Sequence, residues 1–402
     1  MLRRRQITSW LLYDFANSSF AVIIVAFVFA VYFKKVVAAN QPIADLYWAI
    51  SINISMLIVA LLNPILGAAS DISSNKKTYL IFFSLLCIAA TALLYFTEEG
   101  TVLYAMCIFI VANIGFQTAL TFYDAFLPQL TTPSQYNAVS SLGYAIGYVG
   151  SLVAVLMVLP MQETPRLTFL ATAGMFFIFS LPAFFFLKEE KRLQDISSRN
   201  VFSTGLQRVQ KTLSKIKDYA TLRNFLFAYF VYIDGVNTII FFAGNFAQTS
   251  LNFSLEELAY FFIVVQITAM FGALLFGKIA DWFGTKQTLL AILCGWMLIT
   301  VAMFFIADKI SFFLIGGSAG LFLGSSQALS RSIMSQLTPE DHRAEFFGFY
   351  ALFEKTATIL GPLVFGVISA FTGNQRLASL SLGVFFLAGI FLLQKVQLTS
   401  KT

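Results

Sequence analysis

Twelve runs of about 20 mostly apolar residues, divided by short polar turns, take up almost the whole chain. Each is long enough to cross a hydrocarbon core of roughly 30 Å as a helix. Lipid leaves the backbone little other choice, because every N–H and C=O must be satisfied without water. The runs fall near 10–33, 45–69, 78–97, 101–123, 137–159 and 168–187, then near 220–245, 257–280, 287–307, 311–333, 345–371 and 376–395. Composition agrees: 58% of residues are apolar and 11% charged, against roughly 25% charged in soluble domains. An all-α polytopic membrane protein with twelve transmembrane helices is expected. The first run passes Tyr13 and Asp14 without a small-residue cleavage site near a short apolar core, so it reads as an uncleaved span.

Loop charges orient the chain. With the N-terminus inside, 19 of the 26 Lys and Arg lie on the cytoplasmic side; Lys34, Lys35, Arg166, Lys309 and Arg376 lie outside, and Arg331 and Lys355 lie within spans. Such a bias places both termini in the cytoplasm, and a missed span would spoil it. The net charge of +6 is therefore a topology signal, not a nucleic-acid footprint. Cys87, Cys107 and Cys294 sit in apolar runs without pairing or metal spacing and are expected to be buried free thiols. The sole histidine, His342, stands in a loop beside Arg343. No cofactor or metal site is expected, and the loops offer no cluster of His, Cys or paired carboxylates for a polytopic enzyme.

Residues 188–218 form the one long connection, dividing the chain into a six-helix bundle over 1–187, a linker, and a second bundle over 219–402. In the linker Leu206, Val209, Leu213 and Ile216 recur at helical spacing among Arg208, Lys211, Lys215 and Lys217. That is the pattern of a basic amphipathic helix tethered at the cytoplasmic membrane surface.

The halves repeat one another. Asp14-Phe15-Ala16-Asn17 returns as Asp234-Gly235-Val236-Asn237. Gly67-Ala68-Ala69-Ser70-Asp71, followed by Lys76-Lys77, returns as Gly277-Lys278-Ile279-Ala280-Asp281, followed by Gly284 and Lys286. Gln129-Leu130-Thr131-Thr132-Pro133 returns as Gln336-Leu337-Thr338-Pro339. Duplicated six-helix units of this kind are characteristic of transporters with a site at the repeat interface.

These phrases carry a resemblance. The Gly-x-x-x-Asp segments with their basic followers are similar to the loop motif of the major facilitator superfamily. The first copy departs from it, Ile72-Ser73-Ser74-Asn75 lacking the usual glycine and arginine. Tyr13-Asp14-Phe15-Ala16-Asn17-Ser18, Ser141-Leu142-Gly143-Tyr144 with Gly147-Tyr148, Gln327-Ala328-Leu329-Ser330-Arg331-Ser332 and Ala344-Glu345-Phe346-Phe347-Gly348 resemble the vacuole-effluxer family. That family is related to the autophagy protein that exports amino acids from yeast vacuoles, and the short loops here look more like a bacterial member, which implies the plasma membrane. The resemblance covers nearly the whole chain. It implies two pseudo-symmetric bundles whose helices 1, 4, 7 and 10 line a cavity, and loosely implies amino-acid efflux by alternating access. It also implies that Gly67 with Asp71 and Gly277 with Asp281 act as latches on the starts of helices 11 and 5. The glycine-proline motif of many antiporters is absent from helix 5, leaving the coupling direction open.

Six charges fall within the runs: Asp14, Asp124, Asp234 and Glu354 against Arg331 and Lys355. A charge at the bilayer centre costs about 3 kcal/mol on insertion scales, which makes each a functional candidate, the alternative being fixed structural ion pairs. Asp14 and Asp234 are the expected substrate or proton groups. Asn17 and Asn237 lie three residues on, on the same helix face, with donors and acceptors for a zwitterion. Tyr13, Gln117 and Gln327 extend the lining or serve as helix–helix glue. Asp124 and Arg331 precede their Thr-Pro turns by similar distances and are expected to form a gating ion pair, unless Arg331 snorkels to headgroups. Glu354 and Lys355 are adjacent, about 100° apart on a helix, and are not expected to face each other. Lys355 should instead meet a carboxylate of another helix or of the solute. Expected partners are the bilayer, a small polar solute and, in one reading, protons, with no nucleic acid and a monomeric state. A channel, a receptor or assembly factor on a transporter fold, or a carrier of peptides or organic ions stand as alternatives.

Overall fold

The structure, a computed structural model, describes residues 2–161, 163–189, 201–306, 308–358 and 360–398. Residues 190–200 of the expected linker lie outside the described residues. Among the described residues twelve helical spans are long and apolar enough to cross a membrane. Spans 1 to 6 are Arg3–Val37, Ala44–Ser73, Lys76–Phe96, Val102–Leu130, Pro133–Met161 and Pro165–Phe186. Spans 7 to 12 are Ile216–Gln248, Glu256–Phe283, Thr285–Phe305, Lys309–Leu337, Glu340–Thr372 and Gln375–Gln394. Several outrun their apolar cores. At 1.5 Å per residue the 29 residues of span 4 reach roughly 43 Å, so their polar ends extend beyond a hydrocarbon layer.

Local chemistry explains the boundaries. Ser254 and Glu257 form a reciprocal capping box at the start of span 8, and Asp308 caps span 10 through Ser311 N–H at 2.9 Å. Gly284, at φ 93°, is the single residue between the helices of spans 8 and 9, a backbone angle that a side chain would strain. Two spans are irregular. Span 1 passes from α-helix Leu2–Phe20 into π-helical turns at Ala21–Ala26, with an abrupt bend at Phe27. Span 11 is broken into Arg343–Thr356 and Leu360–Thr372.

The chain divides into two compact units. One holds Met1–Thr131, Ile146–Lys211 and Pro339–Leu352; the other holds Thr132–Ala145, Thr212–Thr338 and Phe353–Thr402. The opening turns of spans 5 and 11 thus group with helices of the opposite half of the sequence. Each unit has an aromatic core. In the first, Trp10 and Tyr13 stack on Tyr123 at 4.4 and 5.0 Å, and Phe29 sits among Phe109, Phe169 and Trp48. In the second, Trp296 stacks on Phe386 and Phe242 on Phe365. Lipid tails are as apolar as Leu, so close packing of such rings carries helix association. The same fact corrects one expectation: Cys87 is buried, but Cys107 and Cys294 are exposed. Apolar sequence in a membrane span marks an outer face as readily as an inner one.

The linker helix, Val201–Ser214, docks in the first unit. A methyl on Gly205 would strike Ile65 O, so only a bare backbone fits that approach.

Candidate solute site and interhelical locks

In the first unit Asp14 and Asn17 are buried on one face of span 1, 7% and 4% exposed. Asp14 lies against span 5 at Gly147, where a Cβ would stand 3.5 Å from the carboxylate carbon. One helix turn on, a side chain at Gly150 would collide with Phe15 O. Glycine therefore lets span 5 come close enough to wall in the carboxylate. The stack of Tyr13 on Tyr123 and the tilted ring contact of Phe20 with Phe116 fix the antiparallel register of spans 1 and 4. That register brings Asn17 level with Gln117 to Thr121. Neither Asn17 Nδ2 nor Gln117 Oε1, both buried, has a hydrogen-bond partner among the described residues. By the same register Asp14 stands level with Phe122 and Gln117 with Ser19, so the carboxylate, the amide donor and the amide acceptor are spread over roughly 8 Å along these two spans. Tyr13, by contrast, spends its hydroxyl on Ser84 (2.6 Å) and its ring on Tyr123, which is packing. Asp124 stands half-buried towards the end of span 4.

The second copy of the phrase is used differently. Asp234 is fully buried, and both its oxygens accept from Gly361 N–H, at 3.0 and 2.9 Å. Gly361 opens the second segment of span 11, so Asp234 caps the break in that span with a charge at a helix N-terminus. A methyl on Gly361 would meet Thr238 Oγ1 and the carboxylate. Gly361→Ala is expected to destabilise the fold by roughly 1–3 kcal/mol through overpacking, read as a lower midpoint of thermal unfolding. Gly366→Ala, facing open space, is the control that should change little. Asn237 and Gln327 are half-buried.

Just before the break Lys355 Nζ bonds Glu354 Oε1 at 2.7 Å. This corrects the expectation that the two would not face each other. They occupy the last turn of Arg343–Thr356, and their long stems fold together despite the angle between their Cβ directions.

Arg331 is 1% exposed and does not snorkel. Its Nε donates to Ser140 Oγ (3.0 Å), its Nη2 to Ser140 O (2.8 Å), and its guanidinium lies over the Tyr144 ring at 4.2 Å. One turn earlier in span 5, Asn137 Nδ2 donates to Asp281 Oδ1 (3.1 Å), and its Oδ1 accepts from Thr285 and Ser332. Gly277 meets the same segment: a methyl there would strike Ser141. Asp281 itself is exposed.

The first unit holds the matching arrangement. Asp71 Oδ2 accepts from Glu345 N–H at 2.9 Å, at the start of span 11, and Lys76 Nζ lies 3.7 Å from Asp71 Oδ1. Gly67 allows this, since a Cβ would land on the carbonyl of Ala344. The side chain of Glu345 is fully buried; its Oε2 accepts from Arg208 Nε at 3.0 Å and lies 2.7 Å from His342 Nδ1. Glu189 accepts from the N–H groups of Lys76 and Lys77, at the head of span 3. Sequence reasoning singled out Asp71 and Asp281 but passed over Glu345, Arg208, Asn137 and Ser140 as polar ligands. The only signal was indirect: Glu345 lies within a family-like phrase, and Ser140 adjoins one.

Twelve spans, duplicated polar phrases and glycine-dependent docking of spans 2 and 8 define a multi-pass membrane transporter of the major facilitator fold. Solved structures agree on the fold. The human organic anion transporter MFSD10 superposes with a TM-score of 0.79 at 13% identity, covering 98% of this chain and 100% of that one. The proton:xylose symporter XylE gives 0.78 at 14% identity, covering 98% and 96%. The sequence profile described as "Vacuole effluxer Atg22 like" matches residues 44–402, and the chain belongs to that family. The MFS-type transporter YxiO of Bacillus subtilis is 32% identical, covering 98% of this chain and 95% of its own length. Autophagy-related protein 22-1 of Penicillium rubens is 26% identical over 61% of this chain and 46% of its own length. YxiO, the relative that spans the whole chain, is by its description a transporter and not an enzyme.

Proposed function

We propose that the protein is a secondary transporter of a small zwitterion, an amino acid or close relative, working by alternating access with both chain ends in the cytoplasm and moving its solute outward. The observation that carries the reading is the buried carboxylate Asp14 with Asn17 on the same face of span 1 and Gln117 on span 4, where a buried amide donor and acceptor have no partner among the described residues. An unmet polar group in low dielectric costs about 1–3 kcal/mol, so these groups favour a ligand that completes them. A solute ammonium fits Asp14 and Gln117 Oε1, and its carboxylate fits Asn17 Nδ2. The amino-acid class follows from this pairing and from kinship to the vacuole effluxers. Asp234 is the proposed proton carrier, because neutralising it weakens its hold on Gly361 and frees the break in span 11.

Counterflow in proteoliposomes tests the reading. Labelled amino acid is expected to accumulate transiently against unlabelled solute of the same kind trapped inside, without a net gradient. No exchange across neutral, basic and acidic amino acids would overturn the amino-acid class. Exchange of a sugar or organic anion in their place would reassign the solute.

A further inference from the structure

We propose that His342 makes the seat of the linker helix proton-responsive: an imidazolium there competes with Arg208 for Glu345 and loosens Val201–Ser214 from the start of span 11. The three residues lie in the first unit. His342 Nδ1 stands 2.7 Å from Glu345 Oε2 and 3.1 Å from Arg208 Nη2, and Arg208 Nε bonds the same Oε2 at 3.0 Å. Arg208 Nη2 also donates to the carbonyl of Asp341. The guanidinium that seats the helix thus shares its carboxylate oxygen with the sole histidine of the chain.

The ring nitrogen cannot serve both neighbours. A guanidinium has only protons to give and an ionised carboxylate only lone pairs, so a bare Nδ1 bonds Arg208 and a protonated one bonds Glu345. A neutral imidazole can take either form, because its one proton sits on Nδ1 or on Nε2. An imidazolium has no choice. It donates to Glu345 and turns an N–H and a positive charge towards Arg208. The charge count points the same way. With a neutral ring, Glu345 and His342 together offer Arg208 one net negative charge; with an imidazolium they offer none. Two like charges this close oppose each other by about tenfold in an equilibrium constant even in water-like surroundings. Glu345 is fully buried and Arg208 mostly so, which leaves little water to screen the repulsion.

The other charges around the cluster are balanced or stand in solvent. Asp71 of span 2 pairs with Lys76 of span 3 at 3.7 Å, and Glu340 pairs with Arg343 at 3.8 Å. Asp341 and, on the linker helix, Lys211 are exposed. Imidazole is the side chain whose ordinary change of charge falls between roughly pH 5 and 8. The side chain of His342 is 23% exposed, so protons reach it from solvent. Its ring rests against Phe346 at 5.9 Å, a packing contact that neither protonation state breaks. Because Glu345 also gives its N–H to Asp71, loosening Arg208 acts on the residue that joins spans 2 and 11.

Hydrogen exchange of the linker-helix amides in the purified full chain tests the device, since protection reports the opening equilibrium even where the open form is rare. Protection of Val201–Ser214, corrected for the chemical exchange rate at each pH, is expected to fall about tenfold between about pH 8 and about pH 5.5. His342→Gln, neutral throughout, should keep the alkaline value at both. His342→Lys, cationic throughout, should show the acid value at both. Arg208→Gln should lower protection at both and abolish the acid step, having no charge to repel. If His342→Lys fails to fold, the unsubstituted protein and His342→Gln still decide the question. Equal corrected protection of the unsubstituted protein at the two pH values would overturn the proposal. So would a full acid step in His342→Gln, which would assign the response to the carboxylates of Glu345 or Asp71. The measurement needs no solute, so its failure leaves the transport reading intact.

Discussion

Asp14→Asn is expected to weaken amino-acid counterflow by about a hundredfold in apparent affinity while leaving the protein folded. The substitution keeps size and hydrogen-bonding capacity but removes the carboxylate charge that shares a helix face with Asn17. Removing one member of a buried charge-assisted pair costs about 3 kcal/mol or more, which is about a hundredfold in apparent affinity. The readout is initial exchange rate against solute concentration, beside the unfolding midpoint of the same preparation. The half-saturation concentration should rise about a hundredfold, and because asparagine keeps the size of Asp14 the close approach of Gly147 is preserved. Exchange at an unchanged concentration dependence would remove Asp14 from the solute site. Asp234→Asn should behave differently. It weakens the cap on the second segment of span 11, so the loss should appear in the unfolding midpoint as well as in transport.

Arg208→Ala is expected to destabilise the first unit by about 3 kcal/mol, because it leaves the fully buried carboxylate of Glu345 short of a cation. The cost should fall when the charge is removed as well. Arg208→Ala combined with Glu345→Gln is expected to be more stable than Arg208→Ala alone, as a neutral amide does not need the guanidinium. Chemical or thermal unfolding of the four proteins in the cycle yields the coupling directly. A double variant no better than the single would show that Arg208 acts by packing alone. The reasoning follows from position: Glu345 presents its backbone N–H to Asp71 and its side chain to Arg208, so one residue joins span 2, span 11 and the linker helix.

The linker illustrates how far sequence reasoning reaches. Apolar residues at helical spacing among basic ones were enough to expect an amphipathic helix, and Val201–Ser214 is one. Its basic residues looked alike in the pattern. Arg208, three residues after the glycine that seats the helix on span 2, meets a buried acid. Periodicity specifies a face, but not which member of that face finds a partner. Glu354 and Lys355 make the same point in reverse, because angular separation on a helix says where Cβ points and not where a long flexible stem ends.

The spans themselves were legible because hydropathy is a local property and lipid forbids most alternatives to a helix. The duplication was legible because repeated phrases survive as strings. By itself the sequence therefore determined twelve membrane helices in two related halves, with paired carboxylates on spans 1 and 7. The tertiary structure decided that those carboxylates differ. Asp14 is buried against Gly147 on the same helix face as Asn17, whereas Asp234 closes the break in span 11. Hydrogen-bond partners 127 and 274 residues apart, as in Asp234 with Gly361 and Asp71 with Glu345, depend on the rotation and approach of whole helices. Those are set by where glycines let backbones touch, which no single stretch of sequence contains.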